Sequence, residues 1–210
     1  MPGYRVGLTG GVGSGKSTIA AILRELGAGI VDADQLVHQL IAPGGAAIAE
    51  LRQAFGAEAI ASDGGLDRAW MRARAFHDVN ARHRLEGVLH PRVRAEAEQR
   101  ANELAAEVPY VVLVIPLLVE SGDWKQRVQR VLVVDCSEAT QLVRVQERPG
   151  IDHSTALAIL KAQSDRASRL VAADDVLFNE APLADLQPRV ARLHAHYVQC
   201  AATTAAHGAV

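Results

Sequence analysis

The sequence predicts an α/β fold of three layers: a parallel five-stranded sheet with helices on both faces. Three observations predict it. Residues Gly10 to Ser17 carry the pattern G-x-x-x-x-G-K-[ST], set between an apolar run and a helical one. Five strand-like runs recur along the chain with helical patterns between them, the order that a sheet with right-handed crossovers requires. Most of those runs are short, β-branched and continuously apolar, as strands buried on both faces are.

The strand-like runs are Tyr4–Leu8, Gly29–Val31, Tyr110–Ile115, Arg130–Val134 and Asp174–Phe178. The first leads into the glycine loop, and a helical pattern over Ser17–Leu26 follows. The second leads through Asp32 and Asp34 into a helix at Gln35–Ile41. From about Gly44 to Glu107 no strand pattern occurs. That stretch is rich in Ala, Arg and Glu and predicts several helices, the last from Pro91 to Ala106 with Pro91 in its first turn and His90 between helices. It is expected to form a helical insertion, residues 44–107, beside a nucleotide-binding core of residues 1–43 and 108–210. Ser137–Arg148 predicts another helix, ended by Pro149 and Gly150. Residues 148–169 then carry Lys161, Arg166 and Arg169 in a helical stretch, which predicts a small basic lid. In the last helix, Leu183–Thr204, the residues Leu186, Val190, Leu193 and Tyr197 recur at helical spacing, with Pro188 in its first turn.

Composition narrows the class. The chain has 210 residues, 49% of them hydrophobic, enough for a full core. The formal net charge of −2 gives no bulk attraction to nucleic acid. No apolar stretch approaches membrane-span length, and Tyr4–Leu8 is too short for a signal-peptide core. Cys136 and Cys200 form neither a C-x-x-C pair nor a zinc pattern, and read as free thiols in a reducing compartment. A cytoplasmic enzyme, monomer or small homo-oligomer, without nucleic-acid or membrane partners, is expected.

The loop's chemistry follows from its residue types. Triphosphate oxygens can be ringed by backbone N–H groups only where the chain turns tightly without side chains in the way, which glycine allows. Gly11, Val12, Gly13, Ser14 and Gly15 would supply those amides. The helix beginning near Lys16 adds its positive end and unpaired N–H groups, reaching Thr18. Lys16 is expected to reach the β- and γ-phosphates of ATP, and the Ser17 hydroxyl to ligate Mg²⁺. A dinucleotide loop has no use for the Lys-Ser pair.

Other candidates carry two readings each. Asp34 suits a base that takes a proton from a hydroxyl nucleophile, and Asp32 suits support of Mg²⁺ or of the loop. Either suits the N-cap of the helix at 35–41 equally well. His90 is either a substrate contact or a polar turn residue. The strand before Pro116 has no acidic residue at the usual metal-supporting position, which leaves Glu120 as a partial replacement or a solvent-facing side chain. Arg148, Arg166 and Arg169 either neutralise charge on the transferred phosphoryl group or form a solvated basic face.

Taken in order, the residues form a known set. The run Gly7 to Thr18, then Asp32-Ala33-Asp34, Leu89-His90-Pro91, Pro116-Leu117-Leu118 with Glu120, Ala162-Gln163 with Arg166, and Ala173-Asp174-Asp175 with Asn179 resemble the dephospho-coenzyme A kinase family. Arg192 to Tyr197 looks like its proteobacterial members. The resemblance implies a P-loop kinase core with a helical substrate domain and a lid. It implies transfer of a phosphoryl group from ATP to the ribose 3′-hydroxyl of dephospho-coenzyme A. Asp34 would be the base, and Arg148 the lid arginine near the phosphates. His90, Leu117 and the helical insertion would help hold the acceptor. Asn179 would lie near the adenine. Two departures stand out: Arg148 is followed by Pro149-Gly150, and Glu180 follows Asn179 where the family usually has a longer, glycine-bearing loop. Two alternatives remain on residues alone. One is another small-metabolite P-loop kinase. The other is a nucleotide-dependent switch protein, although Asn-Lys-x-Asp is absent and Asp63-Gly64-Gly65 does not follow a strand.

Overall fold

The structure is a computed structural model that describes residues 3–121 and 124–207, without the side chains of Glu120 and Ser121. The role expected for Glu120 therefore lies outside what is described. Strand β1 (Arg5–Gly10) leads into α1 (Lys16–Glu25), and β2 (Gly29–Asp32) into α2 (Ala33–Ile41). Three helices follow without an intervening strand: α3 (Ile48–Phe55), α4 (Arg68–His77) and α5 (Val79–Leu104). Alternation resumes with β3 (Val111–Val114), α6 (Leu118–Ser121), β4 (Arg130–Asp135) and α7 (Glu138–Gln146). Helices α8 (His153–Lys161) and α9 (Arg166–Ala172), strand β5 (Asp175–Phe178) and α10 (Leu183–His207) complete the chain.

The strands form one parallel sheet in the order β2-β3-β1-β4-β5. Val6 lies opposite Val112 on one side of β1, and Leu8 opposite Leu132 on the other. This central position suits β1, whose six residues are all buried. Val6, Leu8, Val112, Leu132, Val134 and Leu177 of the sheet share a core with Ile19 and Leu23 of α1 and Leu186, Val190 and Tyr197 of α10. Each fully buried side chain of this kind contributes about 1.5–3 kcal/mol. Strand β5 differs from the expected doubly buried strand. It is an edge strand, and Val176 and Phe178 remain 49% and 42% exposed.

The chain divides into two compact units, Met1–Val31 with Ala101–Val210, and Asp32–Arg100. The second unit contains α2 to α4 and α5 as far as Arg100. Three of its helices, α2, α4 and α5, start where an aspartate satisfies their first amides, whereas α3, behind Ala47, has no side-chain cap. Asp67 Oδ1 accepts from Ala69 N (3.0 Å) and Trp70 N (2.9 Å) ahead of α4, and Asp78 Oδ1 from Asn80 N (2.9 Å) and Ala81 N (3.1 Å) ahead of α5.

Two proline expectations are corrected. Pro91 does not open a helix, and His90 does not sit between two. Both lie inside α5, which Asp78 nucleates twelve residues earlier. The carbonyl deprived of the Pro91 N–H is that of exposed Gly87, where solvent can take the bond. Pro188 likewise lies in the second turn of α10, not the first, because that helix already begins at Leu183.

Candidate active site

β1 ends at Gly10 and the chain turns sharply, with Ser14 N donating to Gly11 O (3.1 Å). Two positions in the turn demand glycine. Gly13 (φ +74°) and Gly15 (φ +94°) are left-handed, and a Cβ on Gly13 would lie 2.8 Å from the Gln141 carbonyl oxygen. On Gly15 a Cβ would run into the Asn179 side-chain amide. Gly15 is also the N-cap of α1 and has no side chain to cap it, and the first turn of α1 holds no acid. No side chain caps the first turn of α1, and its positive end suits an external anion. Ser17 and Thr18 in that turn are exposed. Lys16 Nζ donates to Gly10 O (2.7 Å) and Gly11 O (2.9 Å), which seats the ammonium on the rim of the loop.

Side chains from distant segments hold the loop from outside. Asn179 Nδ2 donates to Ser14 O (2.7 Å), and Asn179 N to Asp135 O (2.7 Å), so the end of β5 is tied to both the loop and β4. Arg144 Nη1 of α7 donates to Gly13 O (3.3 Å). Gln163, in the turn between α8 and α9, accepts from Val12 N (2.8 Å). Arg169 is only 7% exposed and donates to Ser164 O. Arg166 forms a forked pair with Asp135, at 2.6 to 3.0 Å. Thus Arg166 and Arg169 are engaged by the protein and do not form a solvated face. Arg148 is exposed just beyond α7, and Arg144, one turn earlier, is the arginine that meets the loop.

A cavity of about 410 Å³ in the second unit and one of about 340 Å³ in the first flank these elements' functional residues. The smaller is lined by Gly15, Thr18, Arg144, Asn179, Leu183 and Leu186. Glu180 closes the loop beside it by accepting from Ser137 N (2.7 Å) and Thr140 Oγ1 (3.2 Å), bonds that hold its carboxyl below the usual range. The loop after Asn179 is thereby docked on the start of α7.

The larger cavity is lined by Asp34, His38, Leu66, Arg68, Arg72 and Leu89, among others. Asp34 is exposed in the first turn of α2. Asp32 is the N-cap of that helix, its Oδ1 accepting from Asp34 N (2.9 Å) and Gln35 N (3.4 Å). The two aspartates are therefore separated in role: one caps, the other faces the cavity. His38 Nδ1–H donates to the Asp34 carbonyl (2.8 Å). His90 is exposed next to the lining residue Leu89, and Leu117, between β3 and α6, is 50% exposed. Nothing in the sequence singles Arg68 and Arg72 out among the many arginines of the segment except their i,i+4 spacing directly after the N-cap Asp67. Among the described residues no three His, Cys, Asp or Glu side chains gather as a metal cage.

The dephospho-CoA kinase family model matches residues 4–185. The chain belongs to that family. A curated dephospho-CoA kinase from Burkholderia pseudomallei is 52% identical over 200 residues, covering 95% of this chain and 98% of its own. The crystal structure of TT1252 from Thermus thermophilus is 34% identical with a TM-score of 0.80, covering 93% of this chain and 98% of that one. A dephospho-CoA kinase from Campylobacter jejuni, 24% identical with a TM-score of 0.69 over 93% and 97% of the two chains, shares the fold. Family membership makes the chain a kinase that uses ATP, and neither alternative drawn from residues alone is favoured.

Proposed function

We propose that this chain transfers the γ-phosphoryl group of ATP to the ribose 3′-hydroxyl of dephospho-CoA, giving CoA and ADP, with Lys16 and Asp34 as its catalytic residues. The observation that carries the reading is the seat of Lys16, an ammonium on the rim of a glycine-rich loop at a helix start that no side chain caps. In the reaction the acceptor oxygen bonds to Pγ as the bond from Pγ to the β–γ bridging oxygen breaks, and ADP leaves. Amides of Gly11, Gly13 and Gly15 to Thr18 bind and orient the phosphates, the Val12 and Ser14 N–H groups being taken by Gln163 and Gly11 O, and Lys16 offsets charge on the β- and γ-oxygens. Asp34 accepts the hydroxyl proton. The adenine is assigned to the smaller cavity beside Asn179.

Arg144 and Arg169 supply positive charge around the loop, and Arg148 joins them from the lid as the resemblance implies. Arg68 and Arg72 suit the diphosphate of the acceptor, and the apolar wall at Leu66 and Leu89 suits its uncharged arm. Leu117 and His90 are assigned to the acceptor's periphery. Mg²⁺ fits the donor set: this ion keeps several waters and takes few protein ligands beside phosphate oxygens, so the exposed Ser17 hydroxyl suffices without a carboxylate cage. Asp32, already the cap of α2, is assigned support of the ion or of the loop. When bound, Mg²⁺ offsets phosphate charge. No helix among the described residues is long and apolar enough to cross a membrane. A cytoplasmic enzyme, monomer or small homo-oligomer, is part of the same proposal, and the net charge of −2 supports its having no nucleic-acid partner.

A coupled ADP-release assay tests the reading. Dephospho-CoA is expected to give kcat/KM at least about a hundredfold above adenosine and other ribose-bearing acceptors, because those leave the arginine pair unpaired. Equal turnover of adenosine would overturn the acceptor assignment.

A further inference from the structure

The peptide unit joining Gly11 to Val12 is held at both of its polar ends. Its carbonyl, Gly11 O, accepts from Lys16 Nζ (2.9 Å) and from Ser14 N (3.1 Å). Its N–H, on Val12, donates to Gln163 Oε1 (2.8 Å), a half-buried side chain 151 residues away in sequence. A trans peptide is planar, so its C=O and N–H turn together. Holding the N–H therefore fixes where the carbonyl points. Without that hold the plane is weakly restrained on its N-terminal side, because glycine there admits a wide range of φ and ψ. A Cβ on Gly11 would lie 2.8 Å from Gln141 Oε1 and 3.1 Å from Arg169 Nη2, so a larger residue there would have to displace the ends of both side chains.

We propose that Gln163 is a positioning residue, which fixes the Gly11–Val12 peptide plane and, through Gly11 O, the seat of Lys16, so that the α8–α9 segment and the nucleotide site move as one. This rests on the phosphate-loop reading above. The side-chain chemistry fits the task. The position needs a long, neutral acceptor: lysine and arginine cannot accept a hydrogen bond, and glutamate would set a negative charge beside a triphosphate. Gln163 touches neither ATP nor acceptor in this role. Its effect falls on ATP binding and on the lysine's alignment with the transferred group.

The test is Gln163→Met in the full chain, which keeps the length and apolar stem of the side chain and replaces its strong acceptor with a weak one. The KM for ATP is expected to rise about tenfold and kcat to fall several-fold, while the KM for dephospho-CoA stays within about twofold, the size of effect that an unsatisfied buried amide produces. A lowered Tm with KM for ATP and kcat unchanged would assign Gln163 to packing alone and overturn the proposal. Should the variant fail to fold, hydrogen exchange of the Val12 amide in the nucleotide-free wild type decides. Strong protection supports the bond, and exchange at the rate of an open amide overturns it. Absence of ATP-dependent turnover in the wild type would instead sink the assignment of the site, and Val12 exchange would still report on Gln163.

Discussion

Lys16 shows how much one side chain depends on its backbone. Its ammonium has two carbonyls within 2.9 Å, so it is kept at the loop rim before any phosphate arrives. Lys16→Ala is expected to lower kcat by about 10²–10³-fold, the size found for single preorganised donors to developing charge. Steady-state turnover checks this, and near-wild-type rates would remove the assignment. Asp34 acts on the other substrate. Asp34→Asn keeps size and helix geometry, since the capping carboxylate belongs to Asp32. It is expected to leave ATP affinity intact by calorimetry while lowering kcat about 10²–10⁴-fold, the usual range for a general base. A loss of ATP affinity with unchanged turnover would show that Asp34 is not the base. The sequence alone could not divide the two aspartates, because both stand where a cap or a base is plausible. The division came from which carboxylate accepts the helix amides.

Elements were legible where a pattern is local and strong. The core strands and α1, α2, α7 and α10 follow the apolar spacing, and their ends moved by a few residues at most. The proline expectations failed because a helix start is set by whichever residue caps it, and Asp78 outcompeted Pro91. Strand β5 stands where the sequence predicts a strand, but at the edge of the sheet. Its edge position is secured by polar contacts in place of burial. Arg130 of β4 forks onto Asp175 (2.8 and 3.0 Å), and Tyr197 of α10 donates to Asp175 Oδ2 (3.0 Å). Burial alone would raise the Asp175 carboxyl, yet the bonds from Arg130 and Tyr197 outweigh it and hold it below the usual carboxylate range. A depressed carboxyl stabilises the fold above its unfolded value, about 3.9, and that contribution is lost as pH falls through the lower folded value. Asp175→Asn is expected to cost about 1–3 kcal/mol at pH 7. It should also flatten the acid side of the stability curve below about pH 4. Denaturant titrations across pH check both; an acid limb as steep as that of the wild type would clear Asp175 of the role.

At the scale of the whole molecule, nucleotide binding adds to the stability of the folded chain by mass action. ATP with Mg²⁺ at about a hundred times Kd contributes about 2.7 kcal/mol. For a chain of this size that corresponds to a rise in Tm of about 5–10 °C. Thermal unfolding should show this rise, EDTA should remove most of it, and activity should vanish with EDTA and return with Mg²⁺. An undiminished rise in EDTA would argue against the Ser17 and Mg²⁺ roles.

The glycine loop, its lysine and its serine were determined by the sequence itself, because a turn that small is governed by neighbours in the chain and by which residues tolerate positive φ. The family-specific residues likewise stood in order along the chain. Only the tertiary structure decided what grips that loop: Arg144, Gln163 and Asn179 arrive from 131, 151 and 165 residues away. Backbone amides and carbonyls inside so glycine-rich a bend must find partners elsewhere. Which partners reach them depends on how the sheet and its helices pack, and no spacing within the motif encodes that.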